Sequence, residues 1–116
     1  MILADAIEYC LSKKAVEETA PFGPEVLVYK VCGKAFALTN PDRMPPQMNL
    51  KCDPDRAELL RDEYEAIIPG YHMNKRHWNT VQFDGSVPNE LCTELIDHSY
   101  DLVVKSLKKS DRESLK

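Results

Sequence analysis

Two apolar runs, Val26-Leu27-Val28-Tyr29-Lys30-Val31 and Ala35-Phe36-Ala37-Leu38, stand on either side of Gly33-Lys34, and they limit the fold more than any other stretch of the chain. Runs rich in β-branched and aromatic residues read as strands. A connection this short can only turn back on itself, so the two runs form an antiparallel hairpin. Cys32 lies beside its turn.

The rest of the chain is assembled around that hairpin. Upstream, Ile2, Leu3, Ala6, Ile7, Cys10 and Leu11 recur at helical spacing and predict a first helix. Ala15 to Ala20 reads as a short edge strand, and Pro21-Phe22-Gly23-Pro24 forces a turn at which Phe22 is expected to plug the core. Downstream, Pro41, Pro45 and Pro46 make Asn40 to Gln47 a loop crossing between strands, and Met48 to Cys52 is a further strand. Asp53-Pro54 supplies a cap and a first-turn proline for a second helix, which the spacing of Ala57, Leu60, Tyr64 and Ile67 extends to about Ile67. After the Pro69-Gly70 breaker, Trp78 to Phe83 is a strand in which Trp78 is expected to bury most of its ring. Val87-Pro88-Asn89 then leads into a third helix running to about Lys109, with Leu91, Leu95, Leu102 and Leu107 as its stripe and Ile96 and Val103 beside them.

Strands in runs, without βα alternation, predict an α+β fold of two layers: an antiparallel sheet of about five strands packed with three helices. At 116 residues the chain has room for one such domain, over residues 1–109, and the polar residues 110–116 read as a fraying tail. No uninterrupted apolar run approaches the length of a membrane span, and the order of charges in the first residues is opposite to that of a signal peptide, so a cytoplasmic location is expected. Cys10, Cys32, Cys52 and Cys92 are widely spaced and read as free thiols.

Chemistry concentrates in Pro69 to Val81, PGYHMNKRHWNTV. Between Glu65 and Asp84 the chain has no acidic residue, although the formal net charge is −4. His72 and His77 are five apart, a spacing that neither a helix nor a strand brings side by side, and no cysteine or carboxylate joins them within the segment, so no metal site is expected. His98, between Leu95 and Leu102, reads as a half-buried histidine with its hydrogen bonds satisfied. Asp53, Asp55 and Asp84 are accounted for by a helix cap and a turn, and no phosphate-binding loop is present. The expectation is a domain that is not an enzyme and needs no cofactor.

Five motifs resemble the MmcQ/YjbR-like family, whose fold is related to the CyaY-like group: Pro21-Phe22-Gly23, Gly33-Lys34-Ala35-Phe36, Asn49-Leu50-Lys51-Cys52-Asp53-Pro54, the segment PGYHMNKRHWNTV, and Ser99-Tyr100-Asp101-Leu102-Val103-Val104. They keep their order over roughly residues 2 to 109. The resemblance implies the same two-layer α+β fold, no catalytic residues, and a DNA-binding role by analogy of fold. On that reading Lys75 and Arg76 meet phosphates, with Tyr71, His72, His77, Lys51 and Lys34 around them, and binding is weak and salt-dependent. The alternative partner is another protein, engaged by the aromatic and basic 69–81 segment.

Overall fold

The computed structural model describes residues 1–70 and 73–116. Tyr71 and His72 therefore lie outside the described residues. The elements run α1 (Leu3–Ser12), β1 (Val16–Thr19), β2 (Leu27–Val31), β3 (Lys34–Thr39), β4 (Gln47–Lys51), α2 (Pro54–Glu63), β5 (Ile67–Pro69), β6 (Trp78–Gln82), α3 (Asn89–Ser106) and α4 (Lys109–Ser114). The six strands form one sheet in the order β1-β2-β3-β4-β6-β5, with every neighbouring pair antiparallel. The α+β class is as the sequence implies.

The β2–β3 hairpin turns on Cys32 and Gly33, with φ of 49° and 80°. Two successive left-handed residues match the right-handed twist of the flanking strands, and glycine takes that conformation without strain. Opposite Tyr29 and Lys30 the register shifts from Ala37 to Ala35, so Phe36 is an extra residue on β3. Phe36 and Ala37 are both fully buried in the helix-side core, where a regular strand would send one of them to each face.

The end of the β3–β4 ladder is completed by a helix. Ser99 of α3, itself fully buried, accepts the Lys51 N–H (2.9 Å) and donates its hydroxyl to the Phe36 carbonyl (2.5 Å). A side-chain hydroxyl thus stands between two strands, beyond the Ala37–Leu50 pair.

All three long helices share one core with the sheet. Ala6 and Cys10 of α1, Ala57 and Leu60 of α2, and Cys92, Leu95, Ile96 and Val103 of α3 meet Tyr29, Val31, Met48, Leu50, Ile67 and Val81. Alternate strand residues point the other way. Paired across β2, β3, β4 and β6, Val28, Leu38, Asn49 and Thr80 form a row on the face opposite the helices.

Several local expectations change. Helix α2 ends at Glu63, because Tyr64 already has extended backbone (φ −125°, ψ 119°). Ile67 is buried as predicted but on β5, paired with Val81, so the helical spacing of Ala57, Leu60, Tyr64 and Ile67 ran through a strand. Ile67 and Ile68 favour that strand, and Pro69 is tolerated there because β5 is an edge. The Asn40 to Gln47 segment joins adjacent antiparallel strands and does not cross the sheet. Phe22 plugs nothing: it is 73% exposed. Trp78 is half-buried.

Helix α3 stops at Ser106, short of Lys109, and Leu107 turns out of the helix with its side chain buried. The buried seam of α3 runs through Cys92, Leu95, Ile96, Ser99 and Val103, and Leu102 is only half-buried beside it. The polar residues that follow, read as a fraying tail, form α4, with Leu115 packed against the core.

Candidate functional site

The 74–77 turn presents Lys75 and Arg76 to solvent before β6. Its shape is fixed from within by the Asn74 side chain, which accepts the Arg76 N–H (2.9 Å), and by the His77 N–H bonded to the Asn74 carbonyl (3.2 Å). Arg61 of α2 fixes it from outside, donating Nε–H to the Asn79 side chain (2.7 Å) and Nη2–H to the Lys75 carbonyl. Gly70 seats the start of the segment on Trp78, donating its N–H to the Trp78 carbonyl (2.8 Å). A Cβ on Gly70 would come within 2.7 Å of the Trp78 Cβ, so no larger residue fits without a shift.

The segment is free of acid in sequence but not in space. Helix α2 brings Asp55 and Glu58 to the same shallow depression that Lys75, Arg76 and Arg61 line. Lys51 pairs with Trp78 across β4 and β6 and borders the segment. His77 is half-buried, and its carbonyl accepts the Cys52 N–H (2.8 Å). Lys34 does not join this group: its ammonium caps α3, donating to the Ser106 carbonyl (3.1 Å). That use suits the negative end of a helix dipole.

A concavity lies on the sheet face that the helices leave uncovered. It is a cleft of about 380 Å³, within the range of small-molecule sites. Among the described residues its apolar walls are Phe22, Val26, Leu38 and Met73. Asn40, Arg43, Gln47 and Asn49 supply most of the polar lining. The strands set the floor, since Leu38 and Asn49 are cross-strand partners in the outward row and Gln47 lies two residues before Asn49 on β4. An Asx turn sets the rim: the Asn40 side chain accepts the Asp42 N–H (3.0 Å), while the Arg43 N–H bonds the Asn40 carbonyl (3.1 Å). Met44, next to Arg43, is 77% exposed.

From the sequence Phe22 reads as a core plug and Asn40 to Gln47 as a loop crossing between strands, and neither reading points to a cleft. The available signal was the alternation Gln47, Asn49, Lys51 against Met48, Leu50, Cys52, which sends polar side chains to the face away from the helices.

The titratable groups elsewhere are occupied or suppressed. His98 Nε2 accepts the Asp53 N–H (3.1 Å), which requires that nitrogen to be unprotonated, and burial with the neighbouring Arg56 charge lowers its pKa. Burial pushes the Cys10 thiol up to about 12 and the Cys52 thiol to about 11, and raises that of Cys92. All four cysteines are free, and Cys32 alone is exposed. Among the described residues no group of three or more His, Cys, Asp or Glu side chains is placed to hold a metal ion, and no helix is long and apolar enough to cross a membrane.

These features define a small α+β domain with helices on one sheet face and a lined cleft on the other. Comparison with known proteins places it further. The YjbR family model matches residues 11–102, and the chain belongs to that family. It is 43% identical to YbdF of Escherichia coli O157:H7, over 87% of this chain and 83% of that protein. It is 33% identical to YjbR of Escherichia coli strain K12, over 99% and 98% of the two chains. In three dimensions it resembles the crystal structure of the Deinococcus radiodurans protein DR2400, which carries the domain named DUF419 (TM-score 0.89, 42% identity, covering 98% of this chain and 87% of the other). A Pseudomonas syringae crystal structure is also similar (TM-score 0.75, 27% identity, covering 88% and 98%).

Proposed function

We propose that this chain is a non-enzymatic binding domain that takes a small organic molecule in the cleft on its open sheet face. One observation carries the reading: a cleft of ligand size is walled by apolar side chains, and one of them, Phe22, is 73% exposed on a tight turn where it has no core to fill. Large apolar side chains held in water around a concavity are usual at binding sites. The non-enzymatic part is supported by the raised thiols and by the use of His98 Nε2 as an acceptor for a backbone N–H.

The neutral, flat probe 2-naphthamide tests this by nuclear magnetic resonance. Titration is expected to move the amide resonances of Val26, Leu38 and Gln47. Phe22→Ala should weaken binding by about fivefold or more, because it removes a contact wall. Its stability should change by no more than about 0.5 kcal/mol, as for other exposed positions. An absence of shifts at probe concentrations on the order of a millimolar, or equal binding by wild type and Phe22→Ala, would rule the cleft out.

A second reading, weak nucleic-acid binding, is favoured by Lys75 and Arg76, which are exposed and form no ion pair among the described residues. Asp55 and Glu58 alongside them and the diversion of Lys34 to α3 limit its reach. A protein-docking role for residues 69–81 rests on less, since Trp78 is half-buried and packs on Gly70. If DNA binds at the turn, replacing Lys75 and Arg76 with alanine should flatten the slope of log affinity against log salt by about two units. Titration of duplex and single-stranded DNA at two salt concentrations measures this, and an unchanged slope removes the turn from the reading.

A further inference from the structure

Of the polar side chains that line the cleft among the described residues, all but one are engaged. Thr39 donates its hydroxyl to the Gln47 carbonyl (2.7 Å), the Asn40 oxygen accepts the Asp42 N–H (3.0 Å), the Asn49 oxygen accepts the Thr80 hydroxyl (2.5 Å), and Arg43 has a partner of its own. Gln47 differs. It is only 9% exposed, yet its side-chain amide makes no hydrogen bond among the described residues. Buried amides are ordinarily paired, and leaving one unpaired costs stability. No side-chain nitrogen or oxygen among the described residues is both fully buried and unbonded, so the Gln47 amide holds the small accessible surface that the residue keeps, and it lines the cleft.

The backbone beneath this amide is fixed from both neighbouring strands. Gln47 pairs with Gln82 of β6, and the Thr39 hydroxyl of β3 holds its carbonyl, so little order is lost when a ligand takes the side chain. A glutamine amide offers an acceptor oxygen and an NH2 donor side by side. The group that satisfies both at once carries an N–H and a C=O on one edge, as a primary carboxamide or a ring lactam does. A carboxylate would satisfy the NH2 but set its charge against the amide oxygen.

The body of the ligand is set by the apolar walls. Phe22, Val26, Leu38 and Met73 present aromatic, branched and thioether surface with no hydrogen-bonding side chain among them. Phe22 and Met73 come from separate loops and Leu38 from β3, so the apolar surface meets its occupant from several sides. The volume suits a ring system or a short branched chain.

Resting on the cleft reading above, we propose that Gln47 selects the ligand and that the ligand class is a small neutral molecule with an amide edge. Its apolar body lies against Phe22, Val26, Leu38 and Met73, and its N–H and C=O pair with the Gln47 amide.

The test compares 2-naphthamide with 2-acetylnaphthalene, which keeps the shape and the carbonyl but has a methyl group in place of the NH2. Wild type is expected to bind the amide about fivefold more tightly, the margin of one neutral hydrogen bond. The Gln47 side-chain NH2 resonances should move along the same saturation curve. Gln47→Met, which keeps the length of the side chain without its donor or acceptor, should bind the two probes alike. A dispersed spectrum matching wild type away from residue 47 establishes that the variant is folded. The bicyclic lactam isocarbostyril distinguishes the two forms of the edge: binding tighter than that of naphthamide identifies a ring lactam, and weaker binding an open carboxamide. Equal affinity for amide and ketone in wild type, side-chain resonances that stay still, or an undiminished preference in Gln47→Met overturns the amide-edge proposal and leaves the cleft reading standing. Failure of both naphthalene probes to bind overturns both.

Discussion

Phe36→Ala is expected to cost the domain about 3–5 kcal/mol, the range for removing a large aromatic side chain from a packed core. Phe36 is fully buried, and its ring meets that of Tyr100 edge-on with centroids 5.3 Å apart. The register shift in β3 turns both Phe36 and Ala37 toward the helices. Loss of the ring leaves a void that the neighbouring Ala37 is too small to fill. Urea denaturation measures the effect as a lower midpoint at unchanged slope. A loss below about 1 kcal/mol would show that the bulge can relax to close the space.

Leu95→Ala is expected to cost about 2–5 kcal/mol, and Leu102→Ala clearly less. The leucines look equivalent in sequence, because both fall on the apolar stripe of the third helix. In the fold Leu95 is 4% exposed within the core, whereas Leu102 stands half-buried to one side of the seam. The same denaturation experiment separates them. Equal losses at the two sites would mean that α3 is seated with a different face inward.

That pair shows where the sequence is informative and where it is not. The hairpin was legible because a short glycine turn between two β-rich runs has one sensible geometry, and Asp53 was legible as a cap because capping is local: its side chain accepts the Asp55 N–H at 3.1 Å. Position along a helix is also local, but the choice between Leu95 and Leu102 is made by the sheet underneath. Strand β5 was hidden because Ile67 continues the spacing of the preceding helix, and only its pairing with Val81 decides the matter. The candidate site was least legible. Phe22, Arg43 and Met73 come from three connections far apart in sequence, and the acid-free stretch lies next to Asp55 and Glu58 from α2. Opposite charges distant along a chain cancel only once folding brings them together.

The Ser99 hydroxyl, placed between the Phe36 carbonyl and the Lys51 N–H, bears on how the domain opens. Helices commonly lie on sheets through side-chain packing alone and can lift while the strands stay paired. Here the helix supplies a rung of the ladder, so α3 cannot lift without exposing a backbone donor on β4 and an acceptor on β3. Amide exchange at Lys51 therefore becomes a local gauge of helix departure. Helix α3 and the central hairpin β3–β4 therefore belong to one cooperative unit.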